Sequence, residues 1–411
     1  MMRRSMGTIV AVIPLLAPGL AAAQGDIRNN SWSGADAVAH GQFFGELRPR
    51  YNRITEQADE DVTRGGTYRA TAGWRTAPWS GWRATLEGIH ADNVDKHFND
   101  DPSQIATSAY PLLPDPRYTG VNQAHVEYRG EDGLRVRAGR QVVRLENSRW
   151  VSDNDFRQVP QVFDGVSARY DGLERVQLEA GYYTRVRTTS GITNALRLAT
   201  LRAAWNPWPD HVASVYGVFH DQPRNGAFTG FEDNSYRVLG ARVEGAFHLG
   251  AALDVPYLLE GAHQDPFAGG DARIDARYWR AGAGLSQARW TVRYDHEVKG
   301  SNHGVFGLEN PLTDYYAFNG WTLNFFNTPR TGLVDRWLTA RYAVGPVTLY
   351  GEAHRFRADF GGADLGREND LGATLDLGHD AALRLQHARY DSPPGTAADI
   401  RKTWVTLSWN F

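Results

Sequence analysis

The chain has 411 residues, a formal net charge of −3 and no cysteine, which excludes disulfides, thiolate chemistry and cysteine metal sites together. Its 43 glycines are spread along the chain and not gathered in a linker, so a single domain is expected. After the N-terminal stretch, charges break every apolar run before it reaches the roughly 20 residues of a membrane-spanning helix.

The first element reads as an export signal. Arg3 and Arg4 precede an apolar run from Gly7 to Leu20, and Ala21, Ala22 and Ala23 precede Gln24. A charged start, a short apolar run and small residues before a cleavage point describe a secretory signal peptide. Residues 1–23 are therefore expected to be removed, leaving 24–411. Loss of the two arginines would take the net charge to −5.

Segments of alternating polarity follow near 42–54, 66–78, 82–95, 121–130, 134–145, 160–171, 174–188, 195–208, 211–223, 234–249, 253–266, 275–288, 289–301, 335–345, 346–360, 367–379, 381–392 and 399–411. A period of two marks strands whose faces meet different surroundings. The eighteen segments are an even number, as a bacterial outer-membrane barrel requires. Short turns at GEDG (130–133), DGLE (171–174), WPD (208–210), GP (345–346) and GHDA (378–381) alternate with long stretches such as 96–120, 146–159 and 302–334. The fold class predicted is all-β: an 18-stranded transmembrane antiparallel β-barrel with short periplasmic turns and long extracellular loops. Its last strand, TWVTLSWNF, should pair with the first around Gln42 to Tyr51 and remove both sheet edges. The terminal Phe411 on an alternating strand resembles the signal read by the barrel-assembly machinery.

Polarity assigns the faces. In GELRPRYN, Leu47, Pro49 and Tyr51 read outward and Glu46, Arg48 and Arg50 inward. A charge on the lipid face near the midplane costs on the order of 2–4 kcal/mol, so charged parities belong inside. The expected pore-lining set is Arg48, Arg50, Arg69, Arg83, Arg135, Arg137, Arg169, Arg185, Arg202, Arg242, Arg280, Arg293, Arg341 and Arg384, faced by Glu46, Glu87, Glu127, Glu179, Glu244, Asp295, Glu352 and Asp376. Only three lysines occur in the chain, and arginine's planar fork is the group suited to bidentate carboxylate binding. An electropositive lumen passing anionic solutes is one reading. Arginines and acids cross-pairing to rigidify the lumen is the other.

Two charges break the parity. Arg140 falls on the outward set of LRVRAGRQVV, and Asp164 on that of FDGVSARY. Each adjoins a glycine, Gly139 or Gly165, and a glycine bulge is expected to re-aim both inward. With Val136 opposite Ala168, Arg140 faces Asp164, which predicts a cross-strand ion pair at the constriction. Acidic residues gather instead in the outer loops, as in EQADED (56–61), ADNVDKHFNDD (91–101), SDND (152–155) and FEDN (231–234). There they are hydrated, bridged to lipopolysaccharide through divalent cations, or bound to calcium. No dedicated metal site, cofactor or nucleic-acid partner is predicted. The expected partners are outer-membrane lipid, lipopolysaccharide and an anionic solute.

The segment GRQVVRLENSRWVSDNDFRQVPQVFDGV (139–166) resembles the Gly-Arg-Gln … Phe-Asp-Gly stretch of alginate export-type outer-membrane porins. PLTDYYAFNGWTLNFFNTPRTGLVDRWLTARY (311–342) resembles a second stretch of that family. The resemblance implies an eighteen-stranded barrel, in agreement with the independent count, and passive anion passage through a basic constriction. The best-known member exports alginate through an arginine-lined pore closed by an outer loop and a periplasmic turn. Here the candidate periplasmic turns are too short to form such a plug. Segments 96–120 and 302–334 are the candidates for loops folding into the mouth, and the rings of the second, including Phe306, Tyr315, Tyr316, Phe318, Trp321, Phe325 and Phe326, either pack the loop or stack on sugars.

The function expected is a porin for carboxylate-bearing small molecules or oligosaccharides, with a dedicated alginate or polyuronate exporter as the alternative. A non-conducting structural barrel is a further class. A barrel enzyme is disfavoured, because His263, His296, His303 and His354 are scattered and no Gly-x-Ser-x-Gly motif occurs. A plug-bearing receptor would need an N-terminal plug domain and about 22 strands.

Overall fold

The computed structural model describes residues 33–411 except 58, 60, 95–96, 102–107, 223–232, 251 and 396–398. The export signal, Lys96 and parts of three acidic loop clusters lie outside the described residues. A short helix, α1 (Gly34–Ala39), is capped by Ser33, which accepts from Asp36 N. The alternating segments then form strands, because each can bury a polar side in the lumen while presenting an apolar side to lipid.

In chain order the strands are β1 (Gln42–Glu56), β2 (Thr63–Arg75), β3 (Trp82–Asn93), β4 (Tyr118–Arg129), β5 (Leu134–Gln141), β6 (Val162–Leu173), β7 (Val176–Arg187), β8 (Thr193–Trp205), β9 (His211–Asp221) and β10 (Tyr236–Leu249). They continue as β11 (Leu253–Pro266), β12 (Ala276–Gln287), β13 (Trp290–Lys299), a two-residue hairpin β14 (Ser301–Asn302) and β15 (Phe306–Gly307), β16 (Leu333–Val344), β17 (Val347–Arg357), β18 (Asp364–Gly378), β19 (Ala381–Asp391) and β20 (Ile400–Asn410). All but the hairpin belong to one closed 18-stranded antiparallel sheet. Connections such as 174–175, 288–289, 345–346 and 379–380 define a short-turn end, whereas 142–161 and 300–332 leave the wall at the opposite end.

The last strand closes the barrel as expected. Leu47 pairs with Trp409, and the Gly45 and Phe411 backbones exchange hydrogen bonds of 2.9 and 3.1 Å. The Phe411 ring stacks on Phe43 at 5.8 Å. A Cβ on Gly45 would lie 2.3 Å from Thr71 O, so only glycine permits this approach. Leu47, Tyr51, Leu86, Val126, Val166 and Tyr182 are exposed on the outer face, while Arg48, Arg50, Asn52 and Arg69 are buried within.

One boundary differs in an informative way. The segment expected over 134–145 stops pairing at Gln141, and residues 142–161 turn into the barrel. Gly139 adopts φ +121°, a conformation closed to most side chains, just before the chain leaves the wall.

The Arg140–Asp164 pair forms in the expected register, with Val136 opposite Ala168 and guanidinium–carboxylate distances of 2.7 and 2.9 Å. Its position is a correction. The β5–β6 ladder runs without a register shift from Leu134 to Gln141. Alternation is therefore unbroken, and Arg140 and Asp164 stay on the side of exposed Val166, not in the lumen. The irregularity lies in the β6–β7 ladder, where the adjacent Asp164 and Gly165 pair with Arg185 and Tyr183 and leave one extra residue on β7. The extra residue, Thr184, turns Arg185 to the outer side opposite Asp164 and Ala195, while Val186 points in. Arg185 therefore leaves the pore-lining set as well. Arg140 Nη1 and Arg187 Nη1 each donate to Val121 O at 3.2 Å, satisfying a β4 carbonyl at the level where β5 has left the wall.

A double-mutant cycle with Arg140→Gln and Asp164→Asn, read as the urea midpoint of barrel unfolding in vesicles, is expected to give a coupling of about 1–2 kcal/mol. Strictly additive losses would contradict a pair that seals the wall.

Candidate functional site

Two long connections fill the upper barrel. Residues 142–161 carry Leu145, Trp150 and Val151, which pack against an apolar inner wall made by Tyr183, Val186, Leu198, Tyr216, Val218, Val238 and Tyr278. Phe306, Leu308 and Leu312 of the 300–332 connection join the same cluster. The rule that inward residues are polar thus fails on β7–β12 near the long-loop end, because those residues meet protein and not water.

Backbone and side-chain bonds join the two connections. Ser152 N donates to Leu312 O (2.8 Å), Asp314 N to Ser148 O (3.0 Å), and Asn154 bridges Thr313 O (2.6 Å) and Tyr315 N (3.0 Å). Left-handed backbone at Glu146, Ser148 and Asn154 supplies the tight turning. Arg149, 1% exposed, pairs with Glu297, donates to Asn319 Oδ1 at 3.0 Å and lies 4.3 Å over the Phe318 ring. Phe156 stacks on Tyr316 at 3.5 Å, and Tyr316 in turn packs on Trp321. Among the rings of this connection, Phe306, Phe318, Trp321 and Phe325 are buried and Phe326 is exposed, so most of them pack the loop. Of the described residues in 96–120, Leu113 and Asp115 are buried, and 142–161, which the sequence reading did not rank among the inward loops, also folds into the lumen.

Beneath this roof is a chamber of about 220 Å³. Arg48, Arg50, Arg242, Arg280, Arg293, Arg341 and Arg384 line it from the wall, and Asp155, Phe156, Asp314, Tyr316 and Trp321 from the loops. Most of these arginines are partnered. Arg48 and Arg69, directly opposite one another, share Glu46 and Asp155, with Arg69 2.9 Å from Asp155. Arg280 and Arg293 share Asp295 at 3.0 and 2.7 Å. Arg242 meets Glu244 at 2.5 Å and Glu260 at 3.0 Å.

Arg50 has a more distant acidic partner, and among the described residues two further arginines of the chamber have none. Arg50 is 4.0 Å from Asp115, donates to Thr406 at 3.0 Å and lies over the Phe156 ring. Thr406 stands opposite both Arg50 and Arg384, so the two guanidinium-bearing residues share one cross-strand row. Among the described residues, neither Arg384 nor Arg341 has a carboxylate within ion-pair distance.

The remaining predicted residues lie along β3–β8. Arg135, Arg137 and Arg169 line a second inward recess with Arg144. Arg137 pairs with Glu127 (2.7 Å), Arg169 with Asp171 (2.8 Å) and Arg202 with Glu146 (2.7 Å). Arg83 and Arg135 each keep a buried Nε without a hydrogen-bond acceptor.

A further polar group sits in the wall behind Trp321. His354 lies between Asp335 (3.0 Å) and Glu352 (3.2 Å), with Asp370 at 3.9 Å. Glu352, His354 and Asp370 offer donor atoms within 4.8 Å of one another and are the described residues that could hold a metal ion. The histidines are scattered in sequence, and only register brings His354 to these acids. Thr322 N and Trp321 N donate to Glu368 (2.7 Å) and Asp370 (3.3 Å), tying the loop to the same group.

The loop carboxylates are poised differently. Burial alone would push the Asp155 carboxyl up, but Arg69, Arg48 and Arg144 hold it well below the ordinary value. Burial, with neighbouring Asp153, raises Asp314 to about 6. Sequence reasoning passed over Asp155, Phe156 and Asp314 as site residues, although all three lie in the two segments that carry the family resemblance.

A closed barrel with inward-folded loops over an arginine-bearing chamber defines an outer-membrane barrel channel. Residues 48–301 match the sequence pattern of the Alginate export family. The chain belongs to that family. No curated protein is similar enough in sequence to count as a relative. In structure it is similar to Pseudomonas aeruginosa OccK9 (OpdG), with a TM-score of 0.70 and 12% identity over 91% of this chain and 100% of that one. OpdK of the same organism, solved with vanillate, gives 0.70 and 12% over 91% and 99%. Acinetobacter baumannii OccAB2 gives 0.70 and 13% over 92% and 99%. Fold and family place the chain in the outer membrane.

The raised Asp314 pKa sets a direction for pH. An acid whose folded pKa lies above its ordinary 3.8 contributes most to the docked state at low pH and loses that contribution as pH rises through about 6. Single-channel current is expected to show more frequent step fluctuations at pH 7.5 than at pH 5, and Asp314→Asn to remove the difference. Fluctuations unchanged across that range in the parent chain would exclude the effect.

Proposed function

We propose that the barrel is a passive channel for small carboxylate-bearing anions, drawn through the chamber by guanidinium groups that lack acidic partners. The observation that carries this reading is the disposition of Arg341 and Arg384, which among the described residues have no carboxylate within ion-pair distance, beside the acid-bound Arg48, Arg242, Arg280 and Arg293. A paired guanidinium is already neutralised, whereas an unpaired one faces the permeant with its charge and its donors. The OpdK structure, solved with vanillate, supports a carboxylate as permeant. No enzymatic activity is assigned. The proposal includes export by residues 1–23 and insertion of 24–411 by the barrel-assembly machinery.

Family membership favours a second reading, export of alginate or another polyuronate. The uronate carboxylates would meet the same arginines, but a linear polymer needs a continuous path past 142–161 and 300–332. Against a chamber of about 220 Å³ under two joined loops, the small-anion reading is the better supported.

Planar-bilayer reversal potentials in a salt gradient test the selectivity. The parent channel is expected to prefer chloride, and Arg341→Glu with Arg384→Glu to lower the anion-to-cation permeability ratio by roughly fivefold or more. Arg140→Glu should leave the ratio unchanged, because that side chain faces outward. Cation preference in the parent chain would defeat the reading. Block of the current by uronate oligomers, with vanillate ineffective, would move the assignment to the exporter.

A further inference from the structure

The outer face near the long-loop end carries arginines that the lumen does not use. Arg336 on β16 lies directly opposite Arg355 on β17, and Arg355 directly opposite Arg367 on β18. The row continues on β19 and β20, where Arg389 faces Arg401, and on β1 and β2, where Arg53 faces Arg64. All of them are exposed. Their outward direction follows from their neighbours: Asp335 and Trp337 around Arg336, and His354 and Phe356 around Arg355, are buried on the inner side.

Such a row is unfavourable by itself. Directly opposite residues have Cβ atoms about 5 Å apart, and like charges so placed repel. Arg367 and Arg389 share one carboxylate, Asp391, at 3.2 and 2.7 Å. Among the described residues, Arg336, Arg355 and Arg401 have no carboxylate within ion-pair distance. The level of the row identifies what can neutralise it. Toward the short-turn end the same face becomes exposed Leu338, Leu371, Leu385 and Val405, an apolar band suited to acyl chains. The arginines therefore stand where that band gives way to head groups. Long loops mark the external side of an outer-membrane barrel, so these head groups belong to the outer leaflet.

We propose that this arginine belt, centred on Arg336, Arg355 and Arg367, binds the phosphate groups of lipopolysaccharide, the glycolipid of that leaflet. The inference rests on the outer-membrane placement of the barrel and is independent of its ion selectivity. Phosphate oxygens accept the paired donors of a guanidinium and cancel the repulsion along the row. Neighbouring strands lie about 4.8 Å apart, so the three central arginines span about 10 Å and can grip more than one phosphate. Recognition would then come from the barrel wall and not from acidic loops bridged by divalent cations, as the sequence alone suggested.

The test uses the full-length barrel in detergent, with lipid retention read by native mass spectrometry. The probes are lipid A bearing both phosphates, the same lipid dephosphorylated, phosphatidylglycerol and inorganic phosphate. Preferential retention of phosphorylated lipid A is expected. The combined Arg336→Gln, Arg355→Gln and Arg367→Gln variant should weaken it by about tenfold or more. The lumen variant Arg341→Gln with Arg384→Gln should retain the lipid as the parent does, and the belt variant should keep the parent conductance and heat-shifted gel mobility. If the combined variant does not fold, Arg355→Gln alone, with a loss of about threefold, carries the test. Equal retention of dephosphorylated lipid A or phosphatidylglycerol, displacement by equimolar inorganic phosphate, or a belt variant binding as the parent would each overturn the proposal.

Discussion

Every backbone N–H and C=O in the hydrocarbon layer must find a partner within the protein, and the rest of this structure follows from that demand. An antiparallel sheet satisfies it only when its edges meet, which here means β20 against β1, with the Gly45–Phe411 bonds at the seam. Closure fixes the alternation of faces, and alternation fixes which arginines see the lumen. Where a strand leaves the wall early, as β5 does at Gln141, the freed carbonyls need other donors. Arg140 and Arg187 supply them at Val121.

The lumen of this barrel is not a uniform aqueous bore. Its long-loop half is a protein interior, built when 142–161 and 300–332 fold inward and cover apolar residues of β7–β12. Burying charged groups such as Arg149 and Asp155 there is tolerable because each of these two is held by several partners. Arg149 has Glu297, Asn319 and the Phe318 ring, and Asp155 has two guanidiniums. The short-turn half keeps open space, and it is there that guanidiniums remain without acids.

Counting arginines against acids is a poor guide to such a site. One carboxylate serves two guanidiniums at Asp295, and a pair of carboxylates serves a pair of guanidiniums at Glu46 and Asp155. Charge that is matched locally contributes rigidity, while charge left over contributes a field. Cross-pairing therefore describes part of the ring, and the proposed attraction of anions rests on its other residues. The outer belt follows the opposite logic, with like charges set in register, and the proposal is that lipid phosphate supplies their counter-charge.

By itself the sequence determined the strand number, the closing strand, the faces of most strands and even the Arg140–Asp164 register, because period-two polarity is a local record of a two-sided environment. It misplaced Arg140, Asp164 and Arg185. Whether a glycine re-aims a neighbour depends on pairing across the ladder, and the extra residue proved to be Thr184 on the next strand. It also could not say which long loop turns inward, since Trp150 and Val151 look alike whether they meet a lumen wall or another loop. Only the tertiary structure decided which arginines meet acids, because partners such as Arg48 and Asp155 are far apart in sequence and are joined by a loop folding back through the barrel.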